Sequence, residues 1–177
     1  DIAIHYAETR EATDSAKWKD VLAWFQASQV GPFQTTNITY REMQSAGQLG
    51  LLNNQELRSK LAFYYSFNES LGVVAVMQVL PEYREHVRGY FPAKVTDYIW
   101  NNCHEVLELD NQVMHDCASP ITADEAQEIL DLLVTKPDLL LELRSWKSTL
   151  TVAYDLLDLN EVRATELREI IAAELAK

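Results

Sequence analysis

Two cysteines and two histidines fall close together in the chain, at Cys103, His104, His115 and Cys117. Two thiolates and two imidazoles make a donor set for tetrahedral zinc. Their spacing matches no recognised finger or knuckle, and the neighbours Cys103 and His104 are awkward ligands for a single ion. In an oxidising compartment a Cys103–Cys117 disulfide is the preferred reading, and by the chain-entropy model it would contribute about 3 kcal/mol, less any strain. In a reducing compartment both stay free thiols. Acidic pairs are available for general acid–base work, among them Glu105 with Glu108, Asp155 with Asp158 and Glu166 with Glu169. Such work needs a pair held in a cleft with its two pKa values pushed apart. These pairs fall instead on charge-rich helical stretches and read as solvated faces. None of His5, His86, His104 and His115 follows a glutamate by three residues, so there is no Glu-x-x-His signature of a di-iron bundle. No G-x-S-x-G elbow and no phosphate-cradling glycine loop occurs. Tyr64, Tyr65, Trp100 and Trp146 could line a pocket between helices, although aromatics at helical spacing usually pack a core. The expectation is a noncatalytic chain with no metal and no cofactor.

The elements that must position these residues read as helices. With 177 residues, 47% of them hydrophobic, the chain is long enough for one domain with a substantial core. Fifteen basic against twenty-seven acidic residues give a formal charge of −12, which repels phosphate backbones and anionic headgroups, so nucleic acid is a poor partner. The five glycines and five prolines fall between periodic segments, and nothing reads as a succession of strands with two-residue turns. That pattern predicts an all-α protein. The longest apolar run, residues 71–80, contains Gln78 and is about half as long as a spanning helix.

In chain order, residues 1–30 read as one amphipathic helix with Trp18, Val21, Leu22 and Phe25 on one face and Thr13 as its weak point. Gly31 and Pro32 end it, and a loop follows. Thr39 with Glu42 has the form of a capping box for a short helix that Gly47 stops. Asn53 with Glu56 repeats the box at the head of a helix reaching toward residue 80, where Leu57, Leu61, Tyr64, Asn68, Leu71 and Ala75 alternate steps of 4 and 3. Residues 82–89 make a polar helical turn or two, and Tyr90, Phe91 and Pro92 form an aromatic hinge before a helix over 93–101. Residues 103–120 are the least regular. Thr122 with Glu125 forms a third box. Thr135, Pro137 and Asp138 then supply a cap, a first-position proline and a first-turn acid for a last helix about 57 Å long at 1.5 Å per residue. Its seam of Leu139, Leu143, Trp146, Leu150, Ala153, Leu157, Asn160, Ala164, Leu167 and Ile171 keeps the 4-and-3 rhythm throughout. Asn68 and Asn160 could pair across two seams and set their register. A single domain over residues 1–177 is expected, built as a bundle of long antiparallel helices with shorter helices packed across one end.

One stretch carries a fingerprint. Tyr40, then Ser45, Ala46, Gly47, Leu49, Leu51, Leu52 and Asn53, then Leu57, Arg58, Leu61, Tyr64 and Tyr65 together resemble a family of uncharacterised bacterial single-pass membrane proteins, which carry an extracytoplasmic all-helical domain of unknown function. The similarity covers about a third of the chain and extends weakly into the last helix. It implies a membrane anchor before residue 1 and a periplasmic domain tethered to the inner membrane. It also singles out Arg58, either in an ion pair with Glu42 or as a guanidinium receiving an anionic ligand beside Tyr64 and Tyr65.

The functional expectation is an interaction or sensing module. It would bind a protein partner, or a second copy through the exposed side of the last helix. The alternative is a small-ligand binder or enzyme with its site near residues 90–117. A cleft there lined by a buried Arg or His would mark the ligand binder, and a close-packed aromatic cluster would mark the interaction module.

Overall fold

The computed structural model describes residues 1–30, 36–70, 80–108 and 111–176, with backbone only at Glu69, Ser70, Glu108 and Asn111. The protein is mostly α-helical. Its described helices are α1 (Ile2–Thr9), α2 (Trp18–Gln26), α3 (Ile38–Ser45), α4 (Gln55–Ser70), α5 (Glu82–Tyr90), α6 (Ala93–Asn102), α7 (Ala123–Val134) and α8 (Pro137–Leu175), with a short 3-10 turn at Gln48–Leu51. The expected continuation of the helix through residues 71–80 and the seam positions Leu71 and Ala75 lie outside the described residues. No described helix is long and apolar enough to cross a membrane.

The chain forms two compact units. The first comprises Asp1–Gly31 and Leu80–Thr149, and the second Pro32–Val79 and Leu150–Lys177. In the first, the helix expected over residues 1–30 is broken at its expected weak point, Thr13, into two. Arg10 and Lys17 take left-handed conformations (φ 63° and 59°) on either side of the break. The fully buried Asp20 holds the break open by accepting from Thr13 N at 2.9 Å and Thr13 Oγ1 at 2.7 Å. One carboxylate thus satisfies the Thr13 N–H that a continuous helix would have paired in its own ladder, together with the Thr13 hydroxyl.

The core of this unit follows helical spacing. Tyr83 and Val87 of α5, Val95 and Ile99 of α6, and Ala126, Ile129, Leu130 and Leu133 of α7 are all buried, against Trp18, Val21, Leu22, Trp24 and Phe25 of the first residues. Tyr83 donates to Trp24 O at 2.8 Å, which satisfies its hydroxyl. Burial and the nearby Glu142 push that phenol far above its ordinary pKa. The capping box at Thr122 forms in full: Thr122 Oγ1 accepts from Glu125 N at 3.2 Å, and Glu125 Oε2 accepts from Thr122 N at 2.9 Å. Thr135 departs from expectation. It ends α7, donating its hydroxyl to Leu132 O at 2.7 Å, and so does not cap α8, which begins at Pro137.

Strands appear where none were expected. Residues His104–Glu108 (β1) and Asn111–Met114 (β2) pair antiparallel, with His104 opposite Met114 and a register irregularity between Val106 and Glu108. The side chains of Val106 and Leu107 are more than half exposed, so no buried alternation announces the hairpin.

In the second unit α3 begins at Ile38 after Asn37, and the Thr39–Glu42 box is not used. Gly47 follows it with φ 68°, the left-handed conformation expected of a helix stop. α4 is capped by Asn54, not Asn53: Asn54 Oδ1 accepts from Leu57 N at 3.1 Å. Contacts between α4 and residues 150–175 of α8 run in opposite order. Asn54 donates to Glu174, Lys60 pairs with Glu166, and Arg163 lies over Phe63 and Phe67, so the two helices are antiparallel. The seam of α8 is real. Leu139, Leu143, Trp146, Ala153, Asn160 and Leu167 are buried, Leu150, Leu157 and Ala164 are half-buried, and Ile171 is 37% exposed.

Candidate functional site

The region singled out at residues 90–117 holds part of an aromatic cluster, and a half-buried arginine, Arg88, stands just before it in the chain. Of the states open to the two cysteines, the disulfide is the one present: Cys103 and Cys117 are bonded, with Cα atoms 5.2 Å apart. Cys103 is the last member of the buried face that α6 presents through Val95 and Ile99, and its carbonyl accepts from His115 N at 2.9 Å. The bridge therefore anchors the hairpin to α6. Trp18 Nε1 donates to Cys117 O at 3.1 Å and ties the far side to α2. With both sulfurs consumed, the zinc set is not assembled. His115 Nε2 lies 3.1 Å from Asn102 O and His104 Nε2 lies 3.3 Å from Gln112 Oε1. Among the described residues no three His, Cys, Asp or Glu side chains gather as a metal requires.

Behind the hairpin, rings meet edge to face: Phe25 with Phe91 at 5.5 Å, Phe25 with Trp100 at 5.6 Å and Trp100 with His104 at 4.8 Å. Arg88 lies against this cluster, its guanidinium carbon 5.0 Å from the Phe25 ring centre and 5.2 Å from that of Trp100. Its Nε donates to Ser28 Oγ at 2.9 Å, and Arg84 Nη1 donates to Ser28 O at 2.7 Å. The end of α2 thus receives two guanidinium groups. Burial, and then the repulsion of Arg84, lower the Arg88 pKa to about 10. Arg88 Nη2 is buried without an acceptor, and so is Gln29 Nε2 next to Ser28. A half-buried cation lacking a carboxylate carries part of the desolvation cost that attraction to a counter-charge normally offsets.

Beside this arrangement is a hollow of about 300 Å³, lined by residues that include Gln26, Gln29, His104, Gln112, Val113 and Met114. Arg88 stands behind its wall, linked through Ser28 to Gln29 and through Trp100 to His104. The site offers an unpaired amide donor, an imidazole and a positive field from two guanidiniums, set on a disulfide-anchored hairpin. Such a set can hold a small anion in place.

The other residues singled out lie in the second unit. Tyr65 stacks on Tyr40 at 4.2 Å and meets Tyr64 edge to face at 5.3 Å, and burial followed by these two neighbours raises its pKa. Glu42 is exposed and Arg58 half-buried, and the ion pairs among the described residues include none between them. Trp146 belongs to the first unit, where its Nε1 donates to Ala27 O at 3.1 Å. Sequence reasoning passed over Arg84, Arg88, Ser28 and Gln29. One local signal was present: arginines four apart on the helix whose Tyr83 and Val87, also four apart, are buried. No protein-family model, curated protein or solved structure matches this chain.

Proposed function

We infer that this chain is a noncatalytic sensing domain of a membrane-tethered bacterial protein, working outside the cytoplasm, and that it holds a small carboxylate ligand in the hollow beside the Cys103–Cys117 hairpin. The observation that carries this reading is Gln29 Nε2, a buried donor without an acceptor on a residue that lines a hollow of ligand size, with the Arg88 guanidinium held behind it through Ser28. The disulfide supports an oxidising compartment. The likeness of residues 40–65 to the bacterial family supports the tether and the periplasmic side of the inner membrane. For the architecture we favour a bundle of long antiparallel helices crossed at one end by shorter ones, supported by the opposite order of contacts along α4 and α8.

Titration with succinate, with acetate and sulfate alongside, tests the reading by tryptophan fluorescence, since Trp100 lies against both Arg88 and His104. The expected result is a saturable change with succinate that Gln29→Leu and Arg88→Gln remove. Unchanged fluorescence throughout refutes it.

A second reading, a protein partner or self-association, is favoured by Val152, Leu159 and Val162. They are 51%, 43% and 56% exposed and are spaced along α8 away from its buried seam. A strict monomer by ultracentrifugation at high concentration counts against self-association.

A further inference from the structure

A second hollow, of about 270 Å³, lies inside the second unit, lined by Lys60, Phe63 and Tyr64 of α4 and by Arg163, Glu166 and Leu167 of α8. Its lining is largely apolar, and its charges are not equivalent. Lys60 Nζ is committed to acids, 3.2 Å from Glu166 and 3.8 Å from Glu56. Arg163 packs its guanidinium carbon 4.9 Å from the Phe63 ring centre and 4.3 Å from that of Phe67, and its Nη1 is buried with no acceptor. One turn beyond Tyr64 on α4 is Asn68, and one turn before Arg163 on α8 is Asn160, only 3% and 8% exposed. Asn68 Nδ2 and Asn160 Oδ1 also have no hydrogen-bond partner. Three unsatisfied buried polar atoms thus cluster along one short length of one helix pair. Native interiors rarely leave such groups unpaired unless something else completes them.

We propose that this hollow is a second binding site, taking a small planar apolar molecule that carries one carboxylate. Aromatic walls call for a flat apolar body. A cavity of about 150 Å³ already holds benzene, so this one has room for a ring with a short acidic arm. Arg163, which has no carboxylate partner among the described residues, supplies the charge-assisted donor, and the Asn68 amide lies one turn beyond Tyr64. A monoanion suits the site better than a phosphate, because Arg163 is the one lining cation without a carboxylate partner among the described residues and the chain's charge of −12 repels multiply charged ligands.

Phenylacetate is the probe, added to the full chain and followed by calorimetry and ligand-observed NMR, with acetate and benzyl alcohol as its halves. Phenylacetate should bind saturably and each half at least about tenfold more weakly, as expected if ring burial and the charged hydrogen bond both contribute. Arg163→Gln should weaken it about tenfold or more, and Lys60→Gln, which removes a committed cation, less than about threefold. Trp18, Trp24, Trp100 and Trp146 all belong to the first unit, so tryptophan fluorescence should not respond. The proposal is overturned by no saturable binding up to about 10 mM, a concentration that even a weak ligand of this size should not need to exceed. It is equally overturned if Arg163→Gln stays within about twofold of wild type, or if Arg88→Gln removes binding while Arg163→Gln does not. Should Arg163→Gln lose helix content, Phe63→Ala at the half-exposed wall replaces it. A loss of about fivefold supports the site and a change within about twofold overturns it.

Discussion

Replacing Arg88 by methionine should leave the fold within about 1 kcal/mol of its present stability, the net of the contributions weighed below, while ending ligand binding in the first unit. The drop in the Arg88 pKa from 12.5 to about 10 corresponds to about 3 kcal/mol of lost preference for the charged form. Solvent access to the half-buried guanidinium cuts this to about 1.5 kcal/mol. Methionine removes that penalty but also the charged hydrogen bond to Ser28, worth about 1.5 kcal/mol. It removes the stacking on Phe25 and Trp100 as well, worth about 1.5 kcal/mol for the pair. The thioether recovers about 1 kcal/mol against the same rings. Ser28 is not orphaned, because its hydroxyl still donates to Phe25 O at 2.7 Å. Urea unfolding at neutral pH, followed by far-UV circular dichroism, should therefore give nearly the wild-type midpoint with an unchanged slope. A loss above about 2.5 kcal/mol would mean that the guanidinium is a structural staple, as breaking a buried, satisfied charge would be. The ligand reading would then lose its physical basis.

Removing the disulfide with Cys103→Ala and Cys117→Ala together should cost about 3 kcal/mol for a loop with a sequence separation of 14, read as a lower urea midpoint. No difference between oxidised wild type and the double variant would show that the β1–β2 ladder alone closes the loop. Glu125, whose pKa falls from 4.5 to about 2 through its bond to Thr122 N and then through Lys94 and the Thr122 hydroxyl, should make stability depend on acid pH. The unfolded chain binds the extra proton, so this contribution is present above pH 4.5 and is lost as the pH falls toward 2. The acid titration of stability should be flatter in Glu125→Gln, and an unchanged slope would contradict the capping assignment. Asn68→Leu and Asn160→Leu should each raise stability by about 1 kcal/mol, additively, because each removes an unsatisfied buried atom. A large coupling between them would instead show that they pair.

Signals confined to one turn or one helix face were legible. Gly47 occupies the left-handed region, Thr122 and Glu125 close their box, and Pro137 opens a helix whose seam is buried or half-buried through Leu167. Each depends on residues within about seven positions of one another, where backbone geometry fixes which groups meet. Caps were ambiguous where two candidates stood side by side. Asn53 and Asn54 differ only in which one has Leu57 N in reach, and Thr135 could equally end one helix or begin the next.

The sequence by itself thus determined helical content, the punctuation between helices and the long seam of α8, because these follow from local hydrogen bonding and periodicity. Tertiary structure alone decided the hairpin anchored at Cys103 and the meeting of Arg88 with Phe25 and Trp100. It also decided which buried atoms go unpaired in each unit. These arise from groups far apart in the chain, whose partners are chosen by how whole elements pack, and no local spacing encodes that choice.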